Sequence, residues 1–157
     1  MITKIFVALD YLADTPQIFE QALELAEKYQ ASLNIFHCME VQTNVVPEVS
    51  AMAAYGGLLN AQSVVIQEKE LETSIAEVSA WLNALAKQAS DRHIVAETNH
   101  KIGEPKVEIC REAKTWNADL IIVGRRGLSG ISEMLMGSVS SYVVHHADCS
   151  VLVAQHQ

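Results

Sequence analysis

The sequence predicts an α/β fold: an open, mostly parallel sheet with helices on both sides, in a single domain spanning residues 1–157. Three observations carry this. Strand-like and helix-like patterns alternate from one end of the chain to the other, in the order βαβαβαβαβ. Leu120, Ile121, Ile122 and Val123 are apolar without alternation, as a central strand covered on both faces requires. A chain of 157 residues, 50% apolar and 19% charged, suits one globular core and is short for two.

The elements follow in order. Residues 2–9 form a short β-branched and aromatic run that stops at Asp10, a buried-strand pattern. Thr15-Pro16 then supplies a helix cap and a proline at the first helical position. Ile18, Ala22, Leu25, Ala26 and Tyr29 continue at helical spacing. A second strand is expected over residues 32–39. The connection over residues 40–62 is more apolar than a solvated loop, with Val45, Val46, Val49, Met52 and Tyr55, so part of it is expected to pack. The longest helix is expected over 63–89, carried by the stripe Leu71, Ile75, Val78, Leu82, Leu85 and Ala89. A weakly alternating strand is expected over 93–100. Gly103-Glu104-Pro105 opens a third helix with Ile109, Cys110, Ala113 and Trp116, and the fourth strand covers 118–123, ending at Gly124. Ser138 is read as the cap of a fourth helix ending near His146, and residues 149–154 form the last strand.

Composition excludes several function classes. The net charge of -8 leaves too few basic residues for the Lys/Arg face that nucleic-acid binding needs, although a local basic pair can still hold a small anion. Cys38, Cys110 and Cys149 are far apart and form no CxxC, which argues against a disulfide framework and suits a reducing cytoplasm. The first residues read as a strand and not as a leader. The uncharged stretch 49–67 is interrupted by Gly56-Gly57, Asn60, Gln62 and Ser63, so no membrane insertion is expected.

In open parallel sheets, ligands bind beyond the carboxyl ends of the strands, where strand order reverses. There the chain offers Asp10, the segment 38–41 and everything after Val123. After Val123 it reads Gly124-Arg125-Arg126-Gly127, then nine residues, then Gly137-Ser138. Glycines let backbone N–H groups approach an anion with no Cβ in the way. A helix start adds free N–H groups and the positive end of a dipole. Ser138 can donate to a phosphate oxygen when it is not capping its helix, and Arg125-Arg126 is the densest positive charge in the chain. Taken singly, either glycine pair reads as a turn or a cap. Together, after the strongest strand, they read as a polyphosphate site. It is neither a GxxxxGK[ST] loop nor a GxGxxG loop.

G-x2-G-x9-G-[ST], fitted by Gly124, Gly127, Gly137 and Ser138, resembles the ATP-binding signature of the universal stress protein family. The resemblance extends to the IFVALD opening, the LNIFHCME strand, Gly103-Glu104-Pro105, ADLIIVGRRG and the closing CSVLVA strand. It implies a Rossmann-like three-layer sandwich with a five-stranded parallel sheet, similar to adenine nucleotide alpha hydrolases. It also implies membership of the subgroup that binds ATP or another adenine nucleotide (AMP or ADP), with Mg2+ as an associated metal. Carried over by position, Asp10 meets the ribose or a metal, and the Cys38 backbone reads the adenine edge between Ala8 and Val123. Gly124, Arg126, Gly127, Gly137, Ser138, Val139 and Ser140 surround the phosphates and ribose. The resemblance further implies a homodimer that pairs the 149–154 edge strands.

Other clusters are weaker. Asp10 can equally be a strand-end residue capping its turn. His145, His146, Asp148 and Cys149 are metal-ligand types, but adjacent histidines point apart on a helix. His37-Cys38 reads as buried strand with a satisfied histidine, and no serine has a His/Asp partner pattern. Leu128, Ile131, Met134, Leu135 and Met136 are apolar where a loop should be polar, covering either the core or the ligand, or meeting a second protomer. Three function classes remain. The first is a nucleotide-dependent stress-response sensor with an unknown regulatory protein partner. The second is a slow ATP hydrolase, which lacks an evident general base. The third is a nucleotide-free dimeric interaction protein.

Overall fold

A computed structural model describes residues 1–11, 15–40, 59–125 and 137–155. The order along the chain is β1 (Lys4–Ala8), α1 (Thr15–Tyr29), β2 (Ser32–Met39), α2 (Leu59–Asp91), β3 (Ala96–Ile102), α3 (Pro105–Trp116), β4 (Leu120–Gly124), α4 (Ser138–His146) and β5 (Ser150–Ala154). The strands form one sheet in the order β3-β2-β1-β4-β5, every neighbouring pair parallel. The expected α/β sandwich is therefore present. The chain leaves β1 toward β2 and β3, then returns to the other side of β1 as β4. Strand order reverses between β1 and β4, and β5 is an edge.

Alternation along the strands sorts the core into two layers. Ile5, Val7, Leu33, Ile35 and Ile122 point toward α1 and α2, where they meet Ala22, Leu23, Val78, Leu82 and Ala89. Phe6, Phe36, Ile121 and Val123 point the other way, toward Ile109 and Ala113 of α3 and Val143 of α4. Phe6 and Phe36 lie in contact, ring centroids 5.1 Å apart.

Three helices end in the same way, and this accounts for where the next strand begins. Gln30, His93 and Asn117 have φ of 53°, 61° and 58°. At each, the following amide reaches back five residues: Ala31 to Ala26, Ile94 to Ala89 and Ala118 to Ala113. This is the Schellman closure, made here without glycine. It consumes residues 91–94, so β3 starts at Ala96 and not at residue 93 as expected. By the same closure Ala118 is spent on α3, and β4 starts at Leu120. The long helix begins at Leu59, four residues before the expected start, because Leu, Ala and Gln after Gly57 are good helix formers. Asp119 pins the amino end of the sheet, its carboxylate accepting from the amides of Thr3 (2.8 Å) and Lys4 (3.0 Å) and from the Thr3 hydroxyl (2.9 Å).

Arg126, Gly127, the apolar residues 128–136 and the apolar segment 45–55 lie outside the described residues.

Candidate functional site

The carboxyl ends of β1 and β4 lie side by side at the point where strand order reverses. Ala8 sits beside Val123 in register, and Leu9 continues β1 by donating to the Phe36 carbonyl at 2.9 Å. Beyond it, Asp10 is exposed at the mouth. Arg125 continues β4 by donating to the Ala154 carbonyl at 2.8 Å. The sheet thus delivers Asp10 and Arg125 to one edge from neighbouring strands.

Of the residues singled out from sequence, Ala8, Cys38, Val123 and Val139 fall on one face of the sheet. All four pack in the cluster on the α3/α4 face; Val123 is buried, and the other three are half-buried. They contribute to an apolar wall on that face. Cys38 is a neutral part of it. Burial, then the nearby Glu108 and Glu40 carboxylates, push its thiol up to about 11, against the Gly103 amide and Arg111, which pull it down.

The start of α4 stands beside this wall. Gly137 is the N-cap residue, with φ -59° and ψ 155°, and as glycine it brings no side chain to cap the helix. Ser138 is therefore the first helical residue and not the cap expected of it. It is exposed, and its hydroxyl does not serve its own helix end in the capping role. The Ser140 hydroxyl is buried and donates to the Gly137 carbonyl at 3.0 Å, so it stabilises the turn from within. What this helix start presents outward is backbone amides and the Ser138 side chain, the chemistry of an anion seat.

Gly124 has a different reason to be glycine. A Cβ there would lie 2.3 Å from Cδ1 of Ile18 on α1, the opposite face from the apolar wall. Its small size lets α1 close on β4. Gly137, by contrast, has a backbone conformation open to any residue, so local geometry does not demand glycine there.

Sequence reasoning missed two groups near these strand ends. Glu108 on α3 is a buried carboxylate, paired with Arg111 and packed within 3.1 Å of the space a Gly103 side chain would need. Its only sequence signal is an acid in the first turn of a helix. The second group is an aromatic clasp. His37 Nδ1 donates to the Leu9 carbonyl at 2.8 Å, and Trp81 meets both His37 (5.6 Å) and Tyr11 (5.1 Å) edge-on. The clasp fixes the residues on either side of Asp10. His37 is thus a satisfied core histidine, as its place in a strand suggested.

His145 and His146 each direct Nδ1 at a carbonyl of their own helix, Ser141 at 2.7 Å and Tyr142 at 2.8 Å. Among the described residues no group of three His, Cys, Asp or Glu side chains is placed to hold a metal ion, and no helix is long and apolar enough to cross a membrane.

Comparison with known proteins adds the following. Residues 1–155 match the universal stress protein family. Universal stress protein Sll1388 of Synechocystis is 39% identical over 156 residues, covering 98% of this chain and 97% of that protein. A universal stress protein solved in complex with cAMP superposes with a TM-score of 0.66 at 21% identity, covering 98% of this chain and 97% of the other. An Arabidopsis thaliana family protein with AMP bound superposes with a TM-score of 0.61 at 22% identity, covering 99% of this chain and 92% of the other.

Proposed function

This chain belongs to the universal stress protein family, and on that premise we propose that it binds an adenine nucleotide, ATP or its AMP and ADP relatives, as a homodimeric stress-response sensor in the cytoplasm. The observation that carries the reading is the apolar wall of buried Val123 and half-buried Ala8, Cys38 and Val139 beside the start of α4, at the point where strand order reverses. The base lies against the wall, and the backbone at Cys38 reads its edge. The phosphates lie toward the amides and hydroxyl that follow Gly137. Gly124, Arg126 and Gly127 continue the seat, and Ser140 supports the α4 turn. Structural neighbours with cAMP and AMP bound support an adenine ligand.

Asp10 is the carboxylate at hand for the ribose or for Mg2+ brought in on the phosphates, its exposed position at the mouth suiting either. Nucleotide binding acts as a signal by favouring one arrangement of the phosphate loop, and with it a regulatory protein partner. A ligand does this only through unequal affinity for the two states. The edge strand β5, apolar in sequence, supplies the homodimer contact by antiparallel pairing across a two-fold axis. Sedimentation equilibrium checks that contact, since a monomer at every concentration removes it.

Equilibrium dialysis with ATP, AMP, cAMP and GTP tests the main reading. Because alanine fits the Gly137 backbone, Gly137→Ala should leave the far-UV spectrum unchanged. A methyl group in the anion seat should weaken adenylate binding by about tenfold or more, roughly 1.4 kcal/mol. No adenylate binding by the wild type, or unchanged affinity in a folded Gly137→Ala protein, defeats the phosphate-seat assignment.

A further inference from the structure

At the amino end of the sheet, remote from the proposed nucleotide site, α3 and the turn into β5 line a half-open cavity of about 300 Å3. Cys110, Cys149, Lys114, Asp119, Asp148 and Ile121 line it. We propose that Cys110 and Cys149 form a dithiol oxidation site, in which a two-electron thiol oxidant of the azodicarboxamide class joins their Sγ atoms and ties α3 to the start of β5.

The two residues are 39 apart in sequence, and only the fold brings them to one cavity. Both pack on the α3/α4 face of the core, both are half-buried, and all three cysteines of the chain are free thiols. An exposed ion pair bridges the two backbone segments next to them. Lys114, one turn along α3 from Cys110, contacts Asp148, the residue before Cys149, with Nζ and Oδ2 2.8 Å apart. Both thiols border this one cavity, whose volume has room for a small planar oxidant. Cys38 lies at the other end of the same face, beside Gly103, and is the internal control.

The reaction balances without a further reagent. One thiolate adds to an azo nitrogen, forming an S–N bond. The second thiolate attacks that sulfur, the S–S bond forms, and the S–N bond breaks. Two electrons and the two thiol protons leave on the hydrazine product. Burial raises both thiols above their ordinary range. Asp148 adds to this at Cys110. Asp119, Asp148 and Cys110 itself add to it at Cys149, against the Ile121 amide, which lowers it. Lys114 is the cation facing the pair, and it is engaged with Asp148. Thiolate is therefore scarce at neutral pH and increases about tenfold per pH unit below the raised value. The site is guarded: reduced under ordinary conditions and oxidised under strong or alkaline challenge.

The test treats the full-length protein with diamide at pH 7 and pH 9, alkylates the remaining thiols, and maps peptides by mass spectrometry. The expected result is a monomer lighter by about 2 Da before alkylation, a Cys110–Cys149 linked peptide, and Cys38 fully alkylated. Formation should be faster at pH 9 and reversed by dithiothreitol. Cys38→Ser should give the same linkage, which excludes shuffling through that thiol. A linkage involving Cys38, a linkage only between chains, or no linkage at pH 9 in protein shown by circular dichroism to be folded overturns the proposal. Neither result bears on nucleotide binding at the opposite end.

Discussion

On the side of the sheet covered by α1 and α2, Ile5, Val7, Leu33, Ile35 and Ile122 are each 0% exposed. On the side covered by α3 and α4, Phe6 and Phe36 are buried as completely, yet Ala8, Cys38, Cys110, Val139 and Cys149 around them are only half covered. The buried polar side chains Glu108 and Ser140 also belong to that second side, as does Asn34, two residues from Phe36 and so on the same face of β2. Helix length explains the contrast. The first pair of helices has 15 and 33 residues, the second pair 12 and 9. Nine residues rise about 14 Å, less than the span of a long strand, so α4 cannot cover its face end to end. The first layer is closed by hydrocarbon along most of its length, with His37 as its buried polar group. The second is covered less completely and leaves a cavity at the amino end.

The largest expected effect tests that division. Leu33→Ala, on the closed face, should cost about 3 kcal/mol in urea unfolding and leave the nucleotide affinity of the folded protein unchanged. Val139→Ala, on the open face, should cost about 1 kcal/mol or less and weaken adenylate binding severalfold. If the two variants lost stability equally and neither altered binding, the faces would not differ in use. Gly124→Ala comes next, because its methyl would sit 2.3 Å from Ile18 Cδ1. Overpacking there should destabilise by roughly 2 kcal/mol. Ile18→Val removes the colliding atom and should restore most of the loss in the double variant. An additive double mutant would show that Gly124 is needed for some other reason.

A smaller effect, of opposite sign, compares the helix ends. His93 closes α2 with φ 61° and Asn117 closes α3 with φ 58°. Histidine tolerates that region less well than asparagine, so His93→Gly should stabilise by about 1 kcal/mol and Asn117→Gly by a few tenths. Equal gains would mean that side-chain contacts, and not backbone strain, set the difference. The smallest effect is on acid stability. The Thr3 amide, the Thr3 hydroxyl and the Lys4 amide hold the Asp119 carboxyl below its ordinary value. A carboxyl lowered on folding contributes stability above its unfolded value, near pH 4, and loses it as pH falls through the folded value. Asp119→Asn should therefore flatten the acid limb of a stability–pH curve below about pH 4 and leave the neutral region parallel to wild type. An unchanged acid limb would show that Asp119 does not couple the two strand starts.

Much of the fold was legible because its signals are local. Gly103-Glu104-Pro105 marked the start of the third helix, and the fourth was placed within one residue, Ser138 being its first helical residue and not its cap. The start of β3 was misplaced because a histidine, and not a glycine, occupies the left-handed position that ends α2. The candidate site was legible as residue types at strand ends. The division of labour between its glycines was not: Gly124 faces Ile18 across the sheet from the wall, a contact between residues more than a hundred apart.

Period and punctuation in the chain determined the order of elements, the parallel sheet and the ends at which a ligand could sit, because those follow from which neighbours along the chain are apolar. Tertiary structure alone decided which helix covers which face, that Glu108 would be buried near Cys38, and that Cys110 and Cys149 would share a cavity. Such pairings depend on strand order and helix length acting together across the sheet, and no window along the chain contains both partners.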